Sequence, residues 1–504
     1  MDVKGTDRGI SAATTSLNNS GDFSLILHKN CDVPTSYLES VANTKRFLER
    51  YAGDDIFRAK CENNPQAAVI EYNINVDPIE IRELWDISFS RQSTDEHRPT
   101  VAVARFRSFC EEKIAHRDTL RTRKCEPDQP AFQSWRRRQI ARMWGSFAPA
   151  KVLAIIHSPV SFELNIGCSI GCWFCGVNVA KLRSSSQYTT ENVLLWNELL
   201  TEMIQLIGPS VAQGFCYWAT DPLDNPDYEK FIVDFHTITG RCPQTTTAQP
   251  QKDITRTRRL LRLSESLGIA VNRFSILSKR ILDTVHEQFT PLELLNVELI
   301  TLNRESILPK ALAGRARIRQ RSTDPNGFNV TKENQDSQTI ACVSGFLINL
   351  VEKRIRLITP CNASDRWPLG FWVLDDALFH DVSHALEIIE QMIVKHMRET
   401  VHRDDHLRFR PDIKVCNVQV HSCEISTRWI NLTFKRNDFP IGRLCELIGK
   451  EGFTAKSVVM ELETEYGVST TTSFEVLNLL LQHGVFENEP SSGLQDNDFR
   501  LANS

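Results

Sequence analysis

The sequence has no apolar run close to the ~20 residues that a membrane-spanning helix needs. Its first stretch, MDVKGTDRGISAATTSLNNS, also lacks the apolar core of a signal peptide. Nor does one sign of charge dominate, since the net charge is -4 over 504 residues, so nothing marks the whole chain as a nucleic-acid binder. These absences predict a cytoplasmic protein with no membrane or nucleic-acid partner. In that reducing compartment, 14 cysteines are not expected to form a disulfide framework.

A second CxxC knuckle is also missing, which argues against a structural zinc site of the paired-knuckle type. The stretch GCSIGCWFC, residues 167–175, instead supplies three thiols from one segment: Cys168, Cys172 and Cys175. Gly167 and Gly171 let such a loop fold closely around an inorganic core. Three cysteines suit a 4Fe-4S cluster that keeps one iron open for a small ligand. A zinc loop or buried cysteines without function are the simpler alternatives.

The length of the chain predicts several domains. Composition and periodicity divide it into a flexible N-terminus (1–34), a helical domain (35–150), a barrel domain (151–338), a hairpin and helix that complete the active site (339–400), and a winged-helix-like domain (401–504).

Strand and helix patterns alternate from about residue 152 to residue 304. The predicted strands are SFELNIG, VAQGFCYWAT, QTTTAQ, AVNRFSIL and LNVELITL, with amphipathic helical segments between them. Such alternation predicts an α/β fold in which a parallel sheet with right-handed crossovers curves into an open or closed barrel. The active site of such a fold lies at the carboxyl ends of the strands, and the three cysteines directly follow the first strand.

CSIGCWFC resembles the CxxxCxΦC signature of the radical SAM superfamily. The resemblance implies a partial (β/α)6 barrel in which Cys168, Cys172 and Cys175 ligate a 4Fe-4S cluster. The open iron would hold S-adenosyl-L-methionine, and an electron donor such as flavodoxin or ferredoxin would start the reaction. Cleavage of the cofactor would give a 5'-deoxyadenosyl radical that removes a hydrogen atom from a C–H bond.

The same resemblance suggests residues that contact S-adenosyl-L-methionine. The superfamily often carries Gly-Gly-Glu-Pro after its second strand, where this chain has ATDP, so Asp221 would bind the methionine amino group. A helix-capping role is the alternative for Asp221. Arg273 would bind the methionine carboxylate, Ser275 or Ser278 the ribose hydroxyls, and Phe174 would flank the adenine.

A closer resemblance is to peptide epimerases of the polytheonamide or proteusin type, which mature ribosomally synthesised precursor peptides. It is carried by FELNIGCSIGCWFCGV with GFCYWATDPLDNPDY, by VELITLNRES with KALAGRARIRQ, and by ITPCNASDRWPLGFWV. Such an enzyme converts an L-residue into a D-residue by removing the α-hydrogen and returning hydrogen to the opposite face. The returning hydrogen would come from a thiol outside the cluster.

Four cysteines in or after the barrel are candidates for this hydrogen donor. We interpret Cys216 as a core residue and Cys242 as part of a turn remote from the strand ends. Cys361 ends a predicted strand beside a proline and a polar turn, where a side chain can face a cavity, so we predict that it is the donor. Cys342, which begins the same hairpin, is the second choice.

The last zone reads as three helices and a short wing that opens at Gly484. Its third helical segment, TTSFEVLNLLLQHG, contains no Lys or Arg, which argues against DNA binding. The zone is similar to small winged domains that bind leader peptides of ribosomal peptide precursors. There, a peptide strand adds to the sheet edge beside the third helix. A purely structural domain is the alternative.

Other chemistry stays open at this stage. A radical SAM enzyme that makes a C–C, thioether or methyl modification on a peptide would share the cluster and the barrel. An auxiliary Fe-S cluster would need a dense cysteine series after CVSG, but only Cys416, Cys423 and Cys445 remain there, widely spaced. A nucleic-acid-modifying enzyme would need a basic RNA-binding module. A non-enzymatic Fe-S or zinc-binding module would not need a barrel.

Overall fold

A computed structural model describes residues 2–7, 33–92, 98–268, 271–321, 339–450 and 452–490. These parts form a mixed α/β protein, which agrees with the predicted fold class. No helix within them is long and apolar enough to cross a bilayer.

The N-terminal part is helical after one short strand. Its elements are β1 (Asp2–Asp7), α1 (Thr35–Gly53), α2 (Asp55–Asn63), α3 (Pro65–Glu71), α4 (Arg82–Trp85), α5 (Ile87–Gln92), α6 (Val101–Thr119), α7 (Pro130–Ser146) and α8 (Pro149–Ala154). Side-chain caps begin several of these helices, as where Asp54 accepts hydrogen bonds from the Ile56 and Phe57 amides. Phe47, Phe57 and Trp85 form the aromatic centre of this region.

The middle of the chain alternates strands and helices, as predicted. Its elements are β2 (Ser158–Glu163), β3 (Asn165–Ile166), β4 (Ser184–Ser185), α9 (Thr190–Ile207), α10 (Tyr228–Thr239), β5 (Thr246–Thr247), α11 (Ile254–Ser266), β6 (Asn272–Ile276), α12 (Lys279–Gln288), β7 (Val297–Thr301) and α13 (Gly314–Arg321). Strands β5, β6 and β7 form a parallel sheet in that order. The crossover helices cover its outer face, where Phe274 and Ile276 are buried.

One predicted strand in this region is wrong. The segment VAQGFCYWAT begins as a 3-10 turn, Pro209–Gln213, and then makes a single parallel bridge between Phe215 and Ser161. The helical turn forms because Gly208 ends α9 with a φ of +83° and Pro209 presets the next φ for a helix. The Phe162 amide donates to the Phe215 carbonyl over 2.7 Å, so the segment still lies beside β2.

A second sheet has the order β10-β9-β8-β2 and contains the hairpin predicted from the sequence. Its further elements are β8 (Val343–Asn349), β9 (Arg354–Pro360), β10 (Phe371–Leu378) and the covering helix α14 (Val382–His396). Strand β8 is parallel to β2, whereas β9 and β10 are antiparallel to their neighbours. Consequently β2, β5, β6, β7 and β8 all end at one edge of the strands, the carboxyl edge, while β9 ends at the opposite, amino edge.

The main core lies between this second sheet and three helices, α9, α10 and α14. Phe162 of β2 packs edge-on against Trp196 of α9, with ring centroids 5.0 Å apart. Phe231 of α10 and Ile389 of α14 belong to the same buried cluster. This packing leaves the other face of β2 and β8 turned away from these helices.

The C-terminal part has a sheet followed by three helices. Its elements are β11 (Lys414–Gln419), β12 (Ser422–Ser426), β13 (Ile430–Lys435), α15 (Ile441–Gly449), α16 (Ala455–Tyr466) and α17 (Thr470–Gln482). The three helices agree with the prediction, but the sheet precedes them. At the predicted wing after Gly484, the chain makes one bridge, between Phe409 and Phe486. The sheet was missed because its strands carry exposed polar side chains on their outer face.

The N-terminal segment predicted to be flexible contributes to this same sheet. Residues Asp2–Asp7 form β1, which pairs antiparallel with β13 from Asp2 opposite Lys435 to Asp7 opposite Ile430. The sheet order is therefore β1-β13-β12-β11. Of the predicted flexible segment, Met1 and residues 8–32 lie outside the described residues.

Candidate functional site

The cysteine loop, residues 167–181, leaves the carboxyl edge of β2 after the short strand β3 and returns toward β4. Backbone hydrogen bonds close its base, from the Cys168 amide to the Ala180 carbonyl (3.0 Å) and from the Leu182 amide to the Cys168 carbonyl (3.2 Å). Gly167 has a φ of +83°, and a Cβ there would lie 2.1 Å from the Lys181 carbonyl oxygen. Glycine is therefore required at the base of the loop.

The three thiols of the loop lie on one short segment, and those of Cys168 and Cys175 interact electrostatically with that of Cys172. Burial raises the pKa of Cys172 to about 12, and the neighbouring Cys175 and Cys168 thiols add to this increase. Burial also raises the pKa of Cys168 to about 11, against backbone hydrogen bonds from Ile170 and Asp221. Within the described ranges, no set of three His, Cys, Asp or Glu side chains has metal-site geometry. The donor set itself, three thiols on one glycine-containing loop, fits an iron–sulfur cluster.

Arg315, at the start of α13, holds the cysteine loop from outside. Its guanidinium donates to the Cys172 carbonyl (2.7 Å), the Val179 carbonyl (2.7 Å) and the Asn178 side chain (3.2 Å). Its backbone amide donates to the Cys175 carbonyl over 2.8 Å. The preceding Gly314 has a φ of +55°, and a Cβ there would lie 2.5 Å from the Cys175 carbonyl oxygen. The sequence shows no local sign of this role, because the partners are far apart in the chain.

We expect Arg315→Ala to loosen the cysteine loop. The variant leaves three hydrogen-bond acceptors of the loop without their donor. The free energy of local opening of the loop should therefore fall by about 2 kcal/mol. Trypsin should then cut after the exposed Lys181 and Arg183 at least about tenfold faster, because cleavage follows the open population. Arg317→Ala is the matched control, since Arg317 lies on the same helix and pairs with the exposed Asp365. Equal cleavage rates in the two variants would contradict the bracing role.

Asp221 lies beside the loop and makes the helix-capping contact that was the alternative role for this residue. Its carboxylate accepts from the Leu223 amide (3.0 Å), the Ala248 amide (2.7 Å) and the Thr247 hydroxyl (2.9 Å). Burial raises the pKa of Asp221, and these hydrogen bonds oppose that shift. Its backbone amide faces the Cys168 sulfur.

Glu163 is a site residue that the sequence reasoning missed. It ends β2, is 6% exposed, and accepts hydrogen bonds from the Ala219 amide (3.0 Å) and the Asn349 side chain (3.3 Å). Burial raises the pKa of its carboxyl group. It lines the loop cavity, a space of about 130 Å³ at the carboxyl edge that is also bounded by Gly167, Val177, Trp218, Asn349 and Phe371. A Glu inside an otherwise buried strand was the available signal.

The remaining residues proposed to contact S-adenosyl-L-methionine lie on the cysteine loop, on β6 and at the start of α12. Phe174 is half-buried on the loop, edge-on to Trp173. Ser278 caps α12 by accepting from the Ile281 amide. Arg273 and Ser275 share the inner face of β6, but Arg273 lies near the start of the strand. Its guanidinium donates to Glu298 over 3.1 Å at the amino edge, so the structure does not bring Arg273 to the cysteine loop.

Cys361 lies at the amino edge, because β9 runs antiparallel to β8. It is 4% exposed and packs with Trp367 and Trp372. Burial raises the pKa of its thiol far above the ordinary value, although the nearby Arg142 guanidinium opposes the shift. Arg142 stacks on the Trp372 ring at 3.9 Å and donates to the Pro360 carbonyl.

Cys361 lines a second space, the Cys361 cavity, of about 470 Å³. Its walls come from α7, from the segment after β9 and from the C-terminal part, through Arg142, Trp372, Arg410, Trp429 and Glu487. It shares no lining residue with the loop cavity. In the segment after β9, the Pro368 carbonyl accepts a hydrogen bond from the amide of Gly314, the neighbour of Arg315.

Fold and site together define a mixed α/β protein with a three-cysteine loop at the carboxyl edge of parallel strands. The chain is 36% identical over 458 residues to the uncharacterized protein y4wI of Sinorhizobium fredii, covering 89% of this chain and 88% of that protein. It belongs to the same family as y4wI.

Two further comparisons add little to this assignment. No protein-family model matches the chain. A crystal structure of BtrN in complex with AdoMet and 2-DOIA overlaps 40% of this chain and 72% of its own, with 15% identity and a TM-score of 0.26. An overlap this loose carries no argument about fold or function.

Proposed function

We propose that this protein is a radical SAM enzyme with a partial (β/α)6 barrel, and that it epimerises residues of a ribosomally synthesised precursor peptide. The observation that carries the proposal is the cysteine loop, with three neighbouring thiols where parallel strands of an α/β fold end. Cys168, Cys172 and Cys175 would hold a 4Fe-4S cluster. When bound, cluster and S-adenosyl-L-methionine would supply the radical that removes an α-hydrogen from the peptide.

The chain's own residues would position the cofactor. Asp221 and Phe174 adjoin the cysteines, and Ser275 lies on the face of β6 opposite the buried Phe274 and Ile276. Glu163 is buried in the wall of the loop cavity, and exclusion of water from it would protect a reactive radical. Arg273 and Ser278 stay candidates from the resemblance alone, because both side chains have other partners.

Cys361 would return the hydrogen. A donor of a hydrogen atom must carry its S–H bond, and burial moves the pKa of the Cys361 thiol still further above neutral pH, so the thiol is protonated. The S–H bond would break as the new Cα–H bond forms. An electron from a flavodoxin or ferredoxin and a proton from water would then restore the thiol. Because the two cavities are separate, the proposal requires the segment after β9 to move toward the loop when peptide binds.

That separation favours a second candidate function. A radical SAM enzyme that makes a C–C, thioether or methyl modification on a peptide needs no thiol opposite the cluster. It would use the loop cavity alone, with Cys361 as a core residue beside Trp367. An auxiliary cluster would need further ligands, for which the sequence offers only the widely spaced Cys416, Cys423 and Cys445.

Incubation of the reduced, anaerobically reconstituted protein with S-adenosyl-L-methionine and precursor peptide in D2O distinguishes these functions. A precursor encoded beside the gene is the peptide to use. An epimerase adds one deuterium for each inverted α-carbon and changes the peptide in no other way. The alternative modifications change its elemental composition. Release of 5'-deoxyadenosine without either peptide product would support the superfamily and contradict both peptide assignments.

The C-terminal part would bind the precursor as an added strand at the β13 edge, beside α17. In the structure β1 occupies that edge along its full length, while Phe434 of β13 packs against His483 after α17. Backbone pairing of this kind depends little on sequence. An incoming peptide must therefore displace β1.

We expect a chain lacking residues 1–8 to bind a labelled synthetic peptide of residues 1–9, whereas the full chain should not. The reason is that the shortened chain presents an unpaired strand edge at β13. Fluorescence anisotropy measures the difference, and the same peptide with proline in place of Lys4, which cannot donate from that position, is the control. Equal binding to both chains would contradict occupation of the edge.

A further inference from the structure

A third space, the basal cavity, lies at the amino edge of the strands, away from the cysteine loop. Its volume is about 330 Å³. Helix α6 forms one wall of this cavity. The segments just before β5, β6 and β8 form another, at Gln244, Val271 and Cys342. Its position separates it from both the loop cavity and the Cys361 cavity.

The charges around the basal cavity do not balance. Four cationic side chains line it, namely Lys113, Arg117, Arg241 and Arg273, against one carboxylate, Glu298. Glu298 is already occupied, because Lys113 (3.2 Å) and Arg273 (3.1 Å) both donate to it. Neither Arg117 nor Arg241 forms an ion pair with Glu298, the one carboxylate among the described residues that line the cavity.

Neither Arg117 nor Arg241 forms an ion pair with any other carboxylate among the described residues. The Nε of Arg117 is buried without a hydrogen-bond partner. Arg241 contacts the His116 ring, Nη2 to Nε2, at 3.4 Å. Burial lowers the pKa of Arg241, and only the thiols of Cys125 and Cys242 oppose the shift. Guanidinium groups in such surroundings are normally paired, because desolvating an unpaired charge is costly.

We propose that the basal cavity binds a small organic oxyanion, a phosphate or carboxylate group on an apolar body, between Arg117 and Arg241. The planar guanidinium groups supply the paired N–H donors that an oxyanion accepts. The remaining wall is largely apolar, with Leu120, Ile156 and Phe215, and suits the body of the ligand. The proposal is independent of the cluster and of peptide chemistry.

Titration calorimetry of the full chain with inorganic phosphate, phenyl phosphate and benzoate tests this site. We expect saturable binding that weakens with added salt. Phenyl phosphate should bind about tenfold more tightly than inorganic phosphate, because its phenyl ring and the apolar side chains of the cavity wall bury each other's surface from water. Comparison of phenyl phosphate with benzoate shows which oxyanion the two arginines prefer. Absence of saturable binding for all three compounds would overturn the proposal.

Substitutions locate the binding. Arg117→Gln and Arg241→Gln should each weaken phenyl phosphate binding at least about tenfold, since each removes one charged donor pair. Arg259→Gln, at an exposed position of α11, is the matched control and should bind normally. If Arg241→Gln does not fold, Arg117→Gln carries the test, because its side chain lies on the outer helix α6.

A thiol readout is independent of the calorimetry. Cys110 is half-buried and lines the cavity, so bound phenyl phosphate should slow its alkylation. Cys416, half-buried on β11, should be alkylated at an unchanged rate. Unchanged alkylation of Cys110 together with normal binding by the Arg117→Gln variant would place the ligand elsewhere and overturn the assignment.

Discussion

Cys172→Ala should give a folded protein that no longer retains iron and sulfide after anaerobic reconstitution. A three-thiolate set leaves no spare ligand on the loop, so removing one thiol leaves the cluster with too few ligands. Iron content should fall from about four atoms per chain to nearly none. The fold should survive, because Cys172 is half-buried and a small truncation there costs about 1 kcal/mol or less.

Iron and sulfide assays and visible absorption measure this loss, and 5'-deoxyadenosine release measures its consequence. Cys416→Ala is the matched control, since Cys416 is a half-buried cysteine on β11 far from the loop. We expect the control to retain iron and to release 5'-deoxyadenosine. Normal iron content in Cys172→Ala would remove the cysteine loop from the proposed function, while leaving the oxyanion site of the basal cavity untouched.

Cys361→Ala should still cleave S-adenosyl-L-methionine but form no D-residues. The loop and its thiols are unchanged in this variant, so radical formation should continue. The peptide radical then lacks its hydrogen donor, and D-residue formation should fall on the order of a hundredfold or more. Amino acid analysis after acid hydrolysis in deuterated solvent gives D-content and deuterium uptake together.

The size-matched variant Cys361→Ser separates chemistry from packing. Serine fills nearly the same space beside Trp367 and Trp372, but its O–H bond is too strong to give hydrogen to a carbon radical. Both variants should therefore fail in the same way. Full epimerisation by Cys361→Ser would exclude Cys361 as the donor. Loss of D-residues in Cys342→Ala, but not in Cys361→Ala, would move that role to Cys342.

The placement of Cys361 shows why the order of strands matters for the site. The sequence correctly predicts the hairpin that ends at Cys361 and the turn that follows it. It does not show that β9 is antiparallel to strands that are themselves parallel, because pairing direction depends on distant neighbours. As a result, the thiol faces α7 and the C-terminal part, in a cavity of its own.

Local features of the sequence determined the crossover helices and the cysteine loop. Helix caps such as Thr189, Ser278 and Thr454 act within their own turns, and the loop carries its thiols and glycines within a few residues. Short-range hydrogen bonds and backbone preferences suffice for such features, so they can be recognised without knowing the fold.

Only the tertiary structure decided which distant side chains meet. Arg315 contacts the cysteine loop although it lies more than 130 residues away in the chain, as its hydrogen bond to Asn178 shows. Arg273 instead donates to Glu298 at the amino edge of the strands. Strand β1 pairs with β13 across almost the whole sequence. The physical reason is that a buried charge or an unpaired strand edge must be satisfied by groups that tertiary packing places beside it. The local sequence around the charge or the strand does not specify which groups these are.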